Sequence, residues 1–374
     1  MLRLEARSAA SDWMRLASPP IAVALTILTG LVIFALLGKD PLKGFEVFFI
    51  NPLKSFYGVT ELLLKATPLA ICAIGLAIGF RANVWNIGAE GQFIVGAISA
   101  TGVALFFGSI TALSLLLMIL AGMLGGAAWA GIPALLKTRF NTNEILVSLM
   151  LVYVAELLVS WVVFGPWKDP KGFNFPQTQM FEATALLPAT ALLPILLEGS
   201  RLNMAFGFAI VLLAAGHVLL TRTTLGYKMR VAGESAGAAA YAGFSSKAMI
   251  WIGLLIGGAC AGLAGMAEVS GPMGQLTDKV ANGYGFAAII IAFVGRLHPL
   301  GIGLAALLMA LFYIGGEQAQ QYLGLPGAIS KVFQGLLLFY LLAADVLIRY
   351  RILWVRGPSL TDPEPSAAAR QGST

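Results

Sequence analysis

The residues whose chemistry stands out lie in NVWNIGAEGQF (83–93), where Asn83, Asn86, Glu90 and Gln92 fall between two long apolar runs. Carboxamides and a carboxyl group offer hydrogen-bond donors and acceptors, which suits recognition of a polar solute. Read as a helix, Asn83, Asn86 and Glu90 fall at i, i+3 and i+7 on one face, with Gly88 and Gly91 on another. Polar side chains at membrane depth are costly and face a cavity or a bundle interior. Glycines beside them let backbones approach closely, or let a helix break and turn its amides toward a ligand. The competing reading is an interfacial loop with Asn86 as N-cap and Glu90 as a first-turn acid, and the residues fit it equally well.

A second carboxyl, Glu156, sits mid-run in EILVSLMLVYVAELLVSWVVF, in line with Tyr153 and Ser160. An ionisable group at that depth belongs to a solute pathway or is hydrogen-bonded between helices. In TNE (142–144), by contrast, Asn141 or Asn143 reads as an N-cap and Glu144 as a first-turn acid. Gly257, Ala261 and Gly265 recur every four residues with Gly258 and Gly262 alongside, which is a close-packing seam. The polar stretch 222–247 has a Gly226 turn, then Lys228, Arg230, Gly233 and Glu234, then a small-residue helix from Ala236 to Ala242. A short helix with an alanine face suits a groove on a partner protein, whereas a membrane-surface helix needs bulkier apolar anchors. No catalytic or metal-ligating set emerges. The only Gly-Lys pair, Gly38-Lys39, precedes Asp40 and is no phosphate loop, and no H-E-x-x-H or Ser/His/Asp set is present. Cys72 and Cys260 lie inside apolar runs and act as small hydrophobes.

These residues need elements that hold them in a bilayer. Of the 374 residues 58% are hydrophobic and 11% charged, which a soluble fold cannot bury. The net charge of +6 is scattered rather than gathered in a basic patch, which argues against nucleic acid. A crossing needs about 20 apolar residues. Suitable runs occupy 20–38, 61–80, 86–107, 111–136, 145–164, 204–221, 248–269, 284–297, 300–318 and 330–350, the run 284–297 being short. The expected fold is therefore an all-α polytopic membrane protein of about ten helices. With both termini cytoplasmic, fifteen of the 24 Lys and Arg fall inside and nine outside. The organisation is then a cytoplasmic segment 1–19, a transmembrane domain 20–354 with a proline-rich extracytoplasmic cap 165–203 and an inside loop 222–247, and a disordered cytoplasmic tail 355–374. SGPMGQLTDKVANGYG (270–285) leads into the short piece FAAIIIAFVGR, so helices are expected to be discontinuous in both halves of the chain. Paired breaks of this kind point to a transport pathway near the midplane.

TTLGYKMRVAGESAGAAAYAGFSSK resembles the coupling segment of ABC importer permeases of the branched-chain amino acid, ribose and simple-sugar type, with the pattern T-x-x-G-x-x-x-R-A-x-G-E-N-P-x-A-A-x-x-x-G. RANVWNIGAEGQFIVGA and TNEILVSLML resemble the branch that takes up nucleosides with a basic-membrane-protein-type lipoprotein. The chain departs from the pattern at Val231-Ala232 and at Ser235-Ala236, the latter standing where Asn-Pro is usual. The resemblance implies that Gly226, Arg230, Gly233, Glu234, Ala238, Ala239 and Gly243 form or frame the helix that docks on an ATP-binding subunit. It implies that Asn83, Asn86, Glu90 and Gln92 line or shape the pathway, to which Tyr153 and Glu156 are added from their depth. The implied protein is a non-enzymatic permease of the bacterial cytoplasmic membrane, carrying nucleosides or related small polar solutes by alternating access. It has no cofactor of its own, since ATP and Mg belong to the partner ATPase, and it works with a second homologous permease and an extracytoplasmic binding lipoprotein. A simple-sugar importer of the same architecture is the alternative. An ion-coupled secondary transporter, with Glu156 or Glu90 as the proton-linked residue, is a further one.

Overall fold

The computed structural model describes residues 2–6, 11–107, 113–188 and 200–354. Strand β1 (Leu2–Ala6) precedes helix α1 (Asp12–Leu36) and the short α2 (Pro41–Phe45), whose N-cap Asp40 accepts from the Leu42 amide at 2.9 Å. A π turn and a 3-10 turn then lead to α3 (Phe56–Arg81), started by Ser55, which accepts from the Gly58 amide at 3.0 Å. Next come α4 (Ala89–Phe107), α5 (Leu113–Phe140) and α6 (Glu144–Phe164). Asn143 is the N-cap of α6, accepting from the Ile145 amide at 2.9 Å, while the first-turn acid Glu144 pairs with Lys137 at 2.6 Å. The chain continues through α7 (Ala205–Arg222), α8 (Thr224–Glu234), α9 (Ala236–Tyr241), α10 (Ser246–Glu268, extended by a π turn Val269–Met273) and α11 (Tyr284–Val294). It closes with α12 (Pro299–Leu323), α13 (Ile329–Arg349) and β2 (Tyr350–Trp354).

Among the described residues nine helices are long and apolar enough to cross a membrane, and α11 is a shorter apolar helix of 11 residues. Each expected run has its helix, so the all-α polytopic reading holds. One element was not foreseen: β1 and β2 form an antiparallel ribbon with Glu5 opposite Arg351, and the two side chains pair at 3.0 Å. Residues 189–199 of the expected cap and the expected tail 355–374 lie outside the described residues.

The chain forms two compact units. In the unit containing the chain ends, Ser18 Oγ donates to Asp345 Oδ1 at 2.8 Å and Thr29 and Tyr340 share a hydroxyl hydrogen bond of 2.7 Å. In the unit Leu31–Gln334, α10 packs against α3, α4 and α5. Lipid tails are as apolar as leucine, so association here depends on close approach rather than on hydrophobic transfer. The expected seam supplies it: a Cβ on Gly262 would lie 2.1 Å from the Gly122 carbonyl oxygen, and one on Gly265 would lie 2.1 Å from that of Phe93. The described part of the proline-rich connection lies over the segment after α10, with the Thr178 amide donating to the Leu276 oxygen at 3.0 Å and the Leu276 amide to Thr178 Oγ1 at 3.0 Å.

Candidate functional site

The helix imagined over 83–93 does not form, because helix α3 is wound shut just before it. The Val84 amide returns to the Gly79 oxygen at 3.1 Å, and Asn83 takes a left-handed conformation at φ 56°, which Asn tolerates better than most residues. Residues 82–88 therefore run non-helically, α4 starts only at Ala89, and the shared face of Asn83, Asn86 and Glu90 is corrected. Asn83 Oδ1 instead accepts from Trp85 Nε1 at 2.9 Å. Asn86 and Gln92 form a reciprocal carboxamide pair, with Nδ2 to Oε1 at 2.8 Å and Nε2 to Oδ1 at 3.0 Å. Asn86 Oδ1 also takes the Gly88 amide at 3.1 Å, a local turn that sets the direction in which the chain enters α4.

Glu90 turns away from that pair and reaches the other discontinuous helix. Its Oε1 accepts from the Gly283 amide at 2.7 Å and its Oε2 from the Gly285 amide at 2.5 Å. Gly283, at φ +85°, adopts a conformation open to glycine, and a Cβ on Gly285 would lie 2.1 Å from the Glu90 nitrogen. The starts of α4 and α11 thus abut inside the bundle, and one carboxyl is at once the first-turn acid of α4 and the cap of α11. Two helix N-termini bring two partial positive charges and several unmet amides to one place, which an acceptor-rich side chain offsets. Asn86, Glu90 and Gln92 are 2%, 4% and 1% exposed, so the junction is closed and internally satisfied.

Tyr153 and Glu156 are not part of it. Helix α6 meets the junction through Ser148 and Val152, against Gly88 and Gly91, whereas Tyr153 is 57% exposed and Glu156 is exposed beside it. Sequence reasoning passed over a third constellation: Lys65 on α3, Glu268 on α10 and Glu317 on α12, with the ring of Tyr284 under the Lys65 ammonium at 5.3 Å. Their signal was the one that flagged Glu156, a single ionisable residue inside an apolar run. Beside it Glu61 takes both the Nε and an Nη hydrogen of Arg201, at 3.0 and 2.5 Å, and so holds the guanidinium pKa above its ordinary value.

The stretch 222–247 folds as two helices. Gly226 lies in the first turn of α8 rather than in a turn before it, because Thr223 caps that helix by accepting the Gly226 amide at 3.2 Å. Gly226, Met229 and Gly233 face inward at helical spacing, and a Cβ on Gly233 would come within 2.4 Å of the Arg81 carbonyl oxygen at the end of α3. Arg230 and Glu234 are consequently exposed. Ser235, standing where the family pattern has Asn-Pro, starts α9 by accepting the Ala238 amide at 3.2 Å, so the departure keeps a helix start. Ala239 faces inward, Ala238 outward, and Gly243 at φ +77° ends the segment, leaving Tyr241 98% exposed.

Residues 58–342 match the family described as branched-chain amino acid transport system / permease component. The chain belongs to this family. The matched region contains the junction and both exposed short helices, and the resemblance read from the sequence holds. This permease is 35% identical to the glucose ABC transporter permease protein TsgB13 of Haloferax volcanii, over 94% of this chain and 93% of the relative. It is 29% identical to the nucleoside ABC transporter permease protein NupB of Lactococcus lactis subsp. cremoris, over 86% and 89% of the two chains. It is also 29% identical to the guanosine ABC transporter permease protein NupP of Bacillus subtilis, over 89% and 94%. No solved structure matches the chain. The permease is a multi-pass membrane protein.

Proposed function

We propose that this permease is the transmembrane subunit of an ATP-driven importer of nucleosides in the bacterial cytoplasmic membrane. The observation that carries the reading is the buried junction of two helix starts, α4 against α11, in a chain similar along most of its length to nucleoside and guanosine permeases. Broken helices that end at mid-depth give a bundle a place where pieces separate without unfolding. In the closed junction Asn86 and Gln92 satisfy each other, and a neutral solute can take over those hydrogen bonds through its hydroxyls and base edges. Arg230, Glu234, Ala238 and Tyr241, presented outward on α8 and α9, dock on an ATP-binding subunit that holds ATP and Mg, while Gly226, Gly233 and Ala239 seat the two helices on the permease. ATP binding and hydrolysis there shift the assembly between outward- and inward-facing states, since the nucleotide supplies the differential affinity such a shift requires. A second, homologous permease and an extracytoplasmic binding lipoprotein complete the importer. A simple-sugar substrate is the second reading, favoured by the identity of 35% with a glucose permease.

The test is uptake by the complete complex in proteoliposomes, with ATP inside and the cognate binding protein outside. Uptake of labelled guanosine or adenosine, blocked when ATP is omitted, is the expected result. Glucose uptake without nucleoside uptake moves the substrate to the sugar reading. Uptake by the permease alone on a proton gradient overturns the ATP-driven one.

A further inference from the structure

Next to the junction lies a cavity of about 360 Å³, within the range of roughly 300–1,000 Å³ that small-molecule sites occupy. Its lining gives its chemistry. Asn282 and Gln320 supply carboxamides, Tyr313 and Ser330 hydroxyls, Glu317 a carboxylate and Lys331 an ammonium. Together with Glu61, Glu268, Lys65 and Arg201 in the wall behind Glu317, the acids and bases number three each, which leaves no excess charge for a phosphate or a carboxylate ligand, and the remaining groups donate and accept hydrogen bonds from a neutral one. Glu317 stands in the wall shared with a smaller cavity of about 80 Å³ that Glu61, Arg201 and Glu268 line. It is held there by Lys65, whose Nζ lies 3.4 Å from Glu317 Oε1 and over the rings of Tyr284 and Tyr313, at 5.3 and 5.8 Å. The cavity is continuous with the junction along the chain: Asn282 lines it and is followed by Gly283, whose amide Glu90 caps, and the Tyr313 hydroxyl donates to the Asn282 oxygen at 3.4 Å.

We propose that this cavity is a solute vestibule that takes the hydroxyl-bearing ring of a neutral sugar or of a nucleoside's ribose. Glu317, Gln320 and Asn282 hold the ring hydroxyls, and Lys65 is the positioning residue that keeps Glu317 against the cavity. The site deepens the importer reading and rests on it. A sugar ring, common to both candidate substrates, is the part such a vestibule recognises, which leaves the base or the sixth carbon to be read elsewhere.

The experiment uses the complete complex carrying Ala328→Cys, a cavity position that is exposed, while Cys72 and Cys260 are buried. A membrane-impermeant maleimide is applied with and without guanosine or glucose, and uptake is measured on the same preparation. The transported solute slows labelling several-fold, and adding Glu317→Gln removes that protection. In the otherwise native complex, Glu317→Gln and Lys65→Met raise the KM for uptake about tenfold, as loss of a charge-assisted hydrogen bond does, with a smaller change in maximal rate. Labelling unaffected by a solute that the complex demonstrably transports overturns the vestibule and leaves the importer reading standing. Uptake of neither solute by the native complex overturns the importer reading, and the vestibule with it. Because the Ala328→Cys protection needs no change at Glu317, it decides the matter even if Glu317→Gln fails to assemble.

Discussion

Glu90 was ambiguous between a first-turn acid and a pathway group because sequence shows only its own helix. Its partners, the amides of Gly283 and Gly285, lie 193 and 195 residues further along. No periodicity links residues that far apart, so the acid in the first turn of α4 was legible and its second role was not. The geometry now makes a graded prediction. Glu90→Gln keeps the shape but turns one acceptor into a donor facing an amide, so one buried N–H is left unmet at a cost of about 1–3 kcal/mol. Glu90→Leu leaves both unmet and costs more. Thermal unfolding of the purified permease in detergent checks the order, native above Gln above Leu. A Leu variant as stable as the native protein would mean that the cap does not hold α11. Asn86→Leu should act in the same direction, because it strips Gln92 of both partners and Gly88 of its acceptor.

At the scale of elements, the spans were readable because each is a run of apolar residues about as long as the bilayer is thick, and the glycines of α10 were readable because close packing repeats every helical turn. Two local features depart from expectation for physical reasons. Of the two readings of 83–93, the helical face fails because Asn83 in the left-handed region breaks the helix, and the loop with Glu90 in the first turn of α4 holds, although the run expected from 86 starts only at Ala89. Gly226 was taken for a turn because glycine usually marks one, but here it is small so that α8 can lie against Leu219, and Thr223 supplies the helix start. The division of α8 into an inner and an outer face separates seating from docking, which can be tested. Gly233→Val should unseat α8 from the end of α3 and lower stability by roughly 1–3 kcal/mol, as overpacking does. Glu234→Ala or Arg230→Ala, on exposed positions, should leave thermal stability within about 0.5 kcal/mol of native while uncoupling ATP hydrolysis from uptake in the complete complex. Normal coupling in both surface variants would remove α8 from the docking surface.

At the scale of the whole molecule, the question is how many times the chain crosses the bilayer. Hydropathy alone gives nine long helices among the described residues and leaves α11, at 11 residues, too short to span by itself. An odd count would place the two ends of the chain on opposite sides. The β1–β2 ribbon forbids that, because five consecutive residues at one end pair with five at the other and the Glu5–Arg351 pair clips them together. We therefore predict a tenth crossing, made by α11 together with the non-helical stretch after α10, on which Thr178 packs. The excess of Lys and Arg on the side of the two ends predicts that both lie inside. Cleavable tags on the N- and C-termini should thus be cut together when a protease is added to sealed inside-out vesicles, and both be protected in right-side-out vesicles. Cleavage of one tag in each orientation would show an odd number of crossings, and α11 would then be a re-entrant piece that returns to the side from which it came.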